Sequence, residues 1–306
     1  MNKNLLKKII FRSLGAVLAA IIALIAFLPL QRAQEKNTNW MKALNDATPL
    51  NQLTIPGTHD SGALYSFGDV FGKCQTLNVG EQLRIGVRFF DIRLQLVNDE
   101  LNVVHAFVDQ KTTFLQILNE MVEFLQNNPE EFLLVSFKED ADAQGSTVDF
   151  CKTLEEMLLN NQSVVSGSRT LPETVGEARG KIHVIARYKN ATLGLPCSSG
   201  WVDDDSFTLS NMYVQDNYNV SGTAEKIEDI FNTFAVANSR EHDLVLNYTS
   251  CYNSPSFPPV YAGIPAREIN GWLMYTLTKT NGPLGTIVCD FITYDLAKII
   301  IERNFI

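Results

Sequence analysis

The sequence predicts a single α/β domain folded as a distorted (β/α)8 barrel. Three observations carry that prediction. Eight short runs are rich in Val, Ile, Leu and Phe, amphipathic helical stretches lie between several of them, and a charged or imidazole side chain stands where seven of the apolar runs end. A chain of 306 residues fits one such barrel, and 45% hydrophobic residues provide for a large core. No internal repeat at a solenoid period and no low-complexity block is present.

In chain order, Lys3, Lys7, Lys8 and Arg12 precede an apolar run of 17 residues from Leu14 to Leu30. A basic stretch before an apolar one is the pattern of a secretory signal. The run is also at the lower limit for spanning a bilayer, and Gln31 two residues before Ala33 makes a poor small-x-small cleavage site. Residues 1–36 are therefore a signal peptide or a membrane anchor. Either places residues 37–306 outside the cytosol, because the positive charge precedes the apolar run.

After a polar linker at 31–39, strands are expected near 52–55, 86–94, 101–104, 132–137, 182–187, 211–215, 243–248 and 285–291. Thr112–Gln126 places Phe114, Leu115, Leu118, Met121, Val122 and Leu125 at helical spacing. Val148–Leu159, Thr223–Ala237, Ala266–Thr278 and Tyr294–Arg303 follow the same pattern. Alternating strands and helices imply a parallel sheet covered by helices. The link between the second and third strands is too short for a helix, which makes the barrel irregular. Residues 188–210 form a long polar loop holding Asp203, Asp204 and Asp205. A loop of that length is usually functional, although the three acids themselves read as solvated.

The net charge is −9, and residues 1–36 hold six bases and one acid, leaving 19 basic against 33 acidic groups in the remainder. So acidic a body gains nothing from counterion release on nucleic acid and is not drawn electrostatically to an anionic bilayer. Five cysteines (Cys74, Cys151, Cys197, Cys251, Cys289) in no C-x-x-C spacing argue against a zinc site. Cys289 reads as a buried thiol, and a Cys197–Cys251 disulfide is one pairing the count allows. Asn161, Asn190, Asn219 and Asn247 begin Asn-x-Ser/Thr sequons, expected on surface loops.

The strand ends carry the chemistry. Thr54-Ile55-Pro56-Gly57-Thr58-His59-Asp60 leads from a strand into a loop. Asp91 and Arg93 follow Val87–Phe90, His105 follows Val103-Val104, and Lys138 follows Leu133–Phe137. Arg187 follows Ile182–Ala186, Asp216 follows Met212–Gln215, and Asp290 follows Ile287–Cys289. In a parallel barrel such positions converge on the C-terminal rim, where active sites sit. His183 and His242 lack this context and read as structural.

Ile55-Pro56-Gly57-Thr58-His59-Asp60-Ser61-Gly62 resembles the first catalytic motif of the phosphatidylinositol-specific phospholipase C X-domain family, and Phe89-Phe90-Asp91-Ile92-Arg93 resembles its second. The resemblance is to the small secreted bacterial-type enzymes. It continues through Arg179-Gly180-Lys181-Ile182, Val214-Gln215-Asp216-Asn217-Tyr218 and Val288-Cys289-Asp290-Phe291, so it covers roughly residues 40–306. It implies a distorted TIM barrel and a lyase-type cleavage in which the inositol 2-hydroxyl attacks phosphorus, diacylglycerol leaves and inositol 1,2-cyclic phosphate forms. It assigns His59 as general base, His105 as general acid, Asp290 and Asp60 as their orienting carboxylates, and Lys138, Arg187, Asp216 and Tyr218 as the inositol site. Two imidazoles suit that task because they exchange protons near neutral pH.

Arg93 offers a planar, permanent charge to the phosphate oxygens, and Asp91, two residues earlier on the same strand face, would orient it. Arg93 would also fill the space where calcium-dependent relatives gather oxygen ligands, so no metal and no cofactor is expected. The expected partner is a phosphatidylinositol or glycosyl-phosphatidylinositol lipid at a membrane surface, with the protein a monomer. Phe67, Val70 and Phe71, and Tyr252 with Phe257–Tyr261, are apolar loop segments suited to touching that surface. One position departs from the family: a glycine usually follows the second histidine, and Ala106 stands there. The competing readings are a calcium-dependent phosphodiesterase of the same superfamily and a non-catalytic lipid- or inositol-binding protein on this scaffold.

Overall fold

The computed structural model describes residues 37–66, 72–106, 108–252 and 262–306. Along the chain run β1 (Thr54–Thr58), α1 (Val79–Ile85), β2 (Phe89–Val97), β3 (Glu100–His105), β4 (Val108–Thr113), α2 (Phe114–Asn127), β5 (Leu133–Glu139), α3 (Phe150–Leu159), α4 (Val175–Ala178), β6 (Ile182–Arg187), β7 (Leu195–Pro196), β8 (Ser206–Leu209), β9 (Met212–Gln215), α5 (Thr223–Ser239), β10 (Leu244–Tyr248), α6 (Gly263–Leu277), β11 (Gly285–Cys289) and α7 (Tyr294–Glu302). All eight expected strand segments and all five expected helices are found. The sequence pattern missed α1 and α4, which are too short to show a period, and β4, β7 and β8.

The sheet runs β7-β6-β5-β2-β1-β11-β10-β9-β8. Every pairing from β7 to β9 is parallel, so the staves are eight parallel strands in barrel order, open between β7 and β9. Antiparallel β8 edges the opening beside β9. Two expectations need correcting. The candidate near 101–104 is not a stave: as β3 it pairs antiparallel with the end of β2 and with β4. The eighth stave is instead β7, inside the supposed loop 188–210, which also contains β8. Two residues in a Gly-, Pro- and Ser-rich stretch show no strand period, so β7 could not be seen in the sequence. Asn98 and Asp99, both left-handed with φ of 50° and 68°, close the β2–β3 hairpin, the conformation a two-residue hairpin turn requires.

Strand alternation divides the core in two. Phe90, Ile92 and Leu94 of β2 face outward and pack with Phe137 of β5, α2 and α7 in the layer between sheet and helices. Phe89, Leu134, Ile185, Val214, Leu246, Tyr248 and Val288 fill the barrel interior, with Trp40, Met41 and Leu50. Gly57 is required inside: a Cβ there would stand 3.0 Å from the Phe89 ring. Toward the N-terminal ends of the staves, Arg88 and Glu131 form a wholly buried pair at 2.8 Å. Removing either partner should destabilise by about 3–5 kcal/mol, because the other charge would remain buried alone. Arg179 fastens the N-terminal segment beneath, donating to the carbonyls of Met41 and Leu44 and to Asp46.

Two further expectations fail. Asn247 is not on a surface loop: it lies fully buried in β10, accepting from Gln215 at 2.8 Å and donating to the Ile230 carbonyl at 3.0 Å. Asn190 and Asn219 are exposed and Asn161 is half-buried. The suggested Cys197–Cys251 disulfide is absent, all five cysteines being free and buried. Residues 1–36 and the apolar loop residues Phe67, Val70, Phe71 and Phe257–Tyr261 lie outside the described residues. Among those described, no helix is long and apolar enough to cross a membrane.

Candidate active site

The inward row of seven of the eight staves is apolar toward its start and polar at its end. It reads Ile55-Gly57-His59 on β1 and Phe89-Asp91-Arg93 on β2. On β5 and β6 it reads Leu134-Ser136-Lys138 and Ile185-Arg187, and on β9 Met212-Val214-Asp216. β10 contributes Leu246-Tyr248-Ser250 and β11 Val288-Asp290. One parity therefore brings seven strand ends to one place. A cavity of about 200 Å³ opens there, and His59, Arg93, His105, Lys138, Arg187, Asp216, Tyr218 and Asp290 all line it. Asp60 and Asp91 are fully buried behind them.

His105 arrives by a different route. β2 runs past the rim, and the hairpin brings β3 back antiparallel, with Leu94 opposite Val103. Two residues later His105 ends β3 and lines the cavity.

The turn after β1 is locked from below. Thr58 Oγ1 lies 2.7 Å from Ser61 Oγ and donates to Gln82 at 2.8 Å, and the Asp91 amide donates to Ser61 Oγ at 2.9 Å. Asp60 takes a left-handed φ of 45° to make the turn. Gln75, absent from the sequence-based list, donates to the carbonyls of both His59 and Cys289 at 2.8 Å. It also accepts the Ile292 amide, so one buried amide joins the loops that carry His59 and Asp290. Lying outside any strand end, it gave no signal in the sequence.

His59 Nδ1 lies 2.8 Å from Asp290 Oδ1, and its Nε2 lies 2.8 Å from Arg93 Nη2. A guanidinium only donates. Nε2 must therefore accept, which puts the imidazole proton on Nδ1, donated to Asp290, and leaves the Nε2 lone pair on the cavity side. Burial alone would lower the pKa of His59, but the contact with Asp290 outweighs it and the net value lies above that of an ordinary histidine.

Arg93 is held by Asp91 Oδ2 at 3.1 and 3.2 Å and lies 3.3 Å from Asp60. Burial opposes its charge, but the two carboxylates raise its pKa well above normal. Asp91 also meets Arg187 at 3.3 Å. Burial would raise its pKa, yet the two guanidiniums hold the carboxyl far below the usual range. His105 Nε2 is 3.5 Å from Asp60 Oδ2, and its Nδ1 is 3.8 Å from Cys74 Sγ. The two imidazole centroids are 6.4 Å apart.

On the far wall Lys138 meets Asp140 at 2.6 Å, and Arg187 lies over the Trp201 ring at 3.7 Å. Burial raises the pKa of Asp216. Tyr218 donates its hydroxyl to Asp203 at 2.8 Å and rests beside Tyr252, ring centroids 5.6 Å apart. The acidic run 203–205 is solvated at Asp203 and Asp205, as expected, but it also builds part of the site. Asp203 lines the cavity, Asp204 accepts the amides of Tyr218 and Asn219, and the Asp205 carbonyl accepts the Asp216 amide. Below this wall Lys226, pushed down to about 8 chiefly by burial, donates to Gln215 and to the Asn217 carbonyl. Trp201 and Lys226 left no pointer in the sequence, and Asp203 stood out only as part of an acidic run in a long loop, because their placement follows from how 188–210 folds back.

The Ala106 departure is also explained. Its φ is 51°, in the left-handed region where glycine is the usual residue, and its amide donates to Asp140 Oδ2 at 2.8 Å. The chain follows the path a glycine would allow, and His105 still reaches the cavity.

Chemically, a neutral imidazole whose lone pair is held only by a displaceable guanidinium N–H, a second imidazole across a cavity and a guanidinium between carboxylates can deprotonate an alcohol, protonate a leaving alkoxide and neutralise an anionic phosphorus centre. Comparison with known proteins points the same way. The family described as phosphatidylinositol-specific phospholipase C, X domain, matches residues 47–188. A 1-phosphatidylinositol phosphodiesterase of Staphylococcus aureus is 30% identical over 298 residues, covering 87% of this chain and 94% of that one. The enzyme of that name from Listeria monocytogenes is 27% identical over 278 residues, covering 87% and 84%. A solved variant of the Staphylococcus aureus phosphatidylinositol-specific phospholipase C superposes with a TM-score of 0.77 at 26% identity, over 88% of this chain and 99% of that one. The chain belongs to the phosphatidylinositol-specific phospholipase C X-domain family.

Proposed function

We propose that this protein is a phosphatidylinositol-specific phospholipase C working without a metal ion, and that it cleaves the lipid to diacylglycerol and inositol 1,2-cyclic phosphate. The observation that carries the reading is the 2.8 Å contact between Arg93 and the unprotonated Nε2 of His59. A phosphodiester entering the cavity offers oxygens to the guanidinium, and the inositol 2-hydroxyl then replaces it on Nε2. His59 takes the hydroxyl proton while Asp290 steadies the imidazolium that forms. The oxygen attacks phosphorus, and charge growing on the non-bridging oxygens is met by Arg93. His105 gives its proton to the departing diacylglycerol oxygen, with Asp60 beside it. Lys138, Arg187, Asp216 and Asp203 supply hydrogen bonds to ring hydroxyls, and Tyr218 supplies an apolar wall.

Turnover of phosphatidylinositol vesicles followed by ³¹P signals tests this reading. The five-membered cyclic phosphate should appear first, and at an undiminished rate in EDTA. Loss of activity in EDTA with recovery in calcium would make the chain a calcium-dependent phosphodiesterase. Arg93→Lys, which loses the planar fork, should fall about 10²–10³-fold.

Substrate reach and location belong to the same proposal. A free lipid and a glycosyl-phosphatidylinositol anchor share the inositol phosphodiester, and parallel assays on both distinguish them. The ten residues of the mechanism all come from one chain, which supports action as a monomer at a membrane surface. The basic-then-apolar order of residues 1–36 supports a secreted or membrane-anchored enzyme with its catalytic domain extracytoplasmic.

A further inference from the structure

Cys74 has no part in the mechanism above, yet it lines the same cavity and is only 1% exposed. Its position is set by the backbone: its amide donates to the Ala63 carbonyl, and its own carbonyl accepts the Phe291 amide. One ligand atom each from Asp60, Cys74 and His105 lie within 4.8 Å of one another, and the same holds for His59, Cys74 and Asp290. A tetrahedral zinc site with bonds of about 2.0–2.3 Å has ligand–ligand edges of roughly 3.3–3.8 Å.

The second trio is already committed, since His59 Nδ1 holds Asp290 and Nε2 holds Arg93. The first is not. His105 Nε2 stands 3.5 Å from Asp60 Oδ2, while the thiol lies 3.8 Å from the ring's other nitrogen, Nδ1, so a bound ion takes one ring nitrogen and draws the remaining ligand in. Among the described residues, neither carboxylate oxygen of the fully buried Asp60 has a hydrogen-bond partner, only the looser ion contacts with His105 and Arg93. Arg93 keeps Asp91 if Asp60 turns away.

We propose that Asp60, Cys74 and His105 form an inhibitory site for soft divalent cations of the zinc class. Carboxylate, thiolate and imidazole are three protein ligands of the kind zinc takes, with a fourth position open to water from the cavity. Sulfur and nitrogen select zinc or cadmium over magnesium and calcium. On binding, a sulfur–metal bond forms, the thiol proton leaves to solvent, and the metal occupies the ring nitrogen of His105. Lipid cleavage then lacks its acid. The site adds a control to the proposed reaction and consumes nothing in it.

The test is a titration of the whole chain with Zn²⁺ and with Cd²⁺, Mg²⁺ serving as control. Two readouts are followed: phosphatidylinositol cleavage, and the ultraviolet thiolate-to-cadmium charge-transfer band, which needs no lipid. Wild type should be inhibited by Zn²⁺ and not by Mg²⁺, should recover in EDTA, and should develop the band with one Cd²⁺ per chain. Cys74→Ser should lose the band and need at least about tenfold more Zn²⁺ for half-inhibition. Cys251→Ser, which removes another thiol lining the cavity, should retain both responses and keeps the test decisive if Cys74→Ser does not fold. A band that survives Cys74→Ser, a band lost with Cys251, or no band in wild type overturns the proposal. An inactive wild type with a Cys74-dependent band overturns the phospholipase reading and leaves the metal site standing.

Discussion

The two imidazoles of the site are held very differently. His59 ends a parallel stave, has a charged partner on each ring nitrogen at 2.8 Å, and sits on a turn tied by Thr58, Ser61, Gln82 and Gln75. His105 ends an antiparallel strand outside the barrel, is half-buried, has its nearest carboxylate at 3.5 Å, and is followed by a left-handed alanine. The difference suits the base and acid roles we propose for them. A base must meet one hydroxyl at a fixed phosphodiester geometry, where a displacement of 1 Å can cost about 10²-fold. The acid meets a leaving oxygen whose lipid chain arrives from a mobile interface, and some slack costs it less.

The largest test of that contrast is deletion. His59→Ala should lose about 10⁴-fold in kcat and His105→Ala about 10²–10³-fold on phosphatidylinositol, and equal losses would break the distinction. Next come the carboxylates. Asp290→Asn should cost about 10²–10³-fold and Asp60→Asn only about tenfold, matching 2.8 Å against 3.5 Å; a reversed order would show that His105 closes on Asp60 when substrate binds. The same variants sharpen the pH dependence. His59 must be unprotonated to act, and Asp290 raises its pKa, so the acidic limb of kcat/KM should move to lower pH in Asp290→Asn. An unmoved limb would assign that titration elsewhere.

The smallest effect is on stability. Ala106→Gly should raise the denaturation free energy by about 1 kcal/mol, read as a urea midpoint shift at constant slope, because a left-handed alanine is strained by about that much. No gain would mean the turn is held by Asp140 at no cost.

The same contrast explains what could be read from the sequence. Residues on staves were legible because apolar runs ending in a charged group mark both the strand and its rim, and alternation carries His59, Asp91, Arg93, Lys138, Arg187 and Asp290 to one face. His105 was found, but its strand was misread as a stave, since a run such as Leu101–Val104 does not reveal whether it pairs parallel or antiparallel. Asp203, Trp201 and Gln75 act through loop geometry, which has no period. Asp203 and Asp205 are solvated, as three adjacent acids usually are, yet the side chains of Asp203 and Asp204 and the Asp205 carbonyl also build the wall around Tyr218 and Asp216.

Buried Asn247 has a consequence for anyone producing the protein. Asn247-Tyr248-Thr249 is a complete acceptor sequence, and oligosaccharide transfer happens on the nascent chain before a strand closes into a sheet. A sugar tree attached there could never fit between β10 and α5, so in a yeast or mammalian secretion host the modification and the assembly of β10 compete for the same asparagine. Bacterial expression, or Thr249→Val to erase the signal while sparing the asparagine's own hydrogen bonds, avoids that dead end.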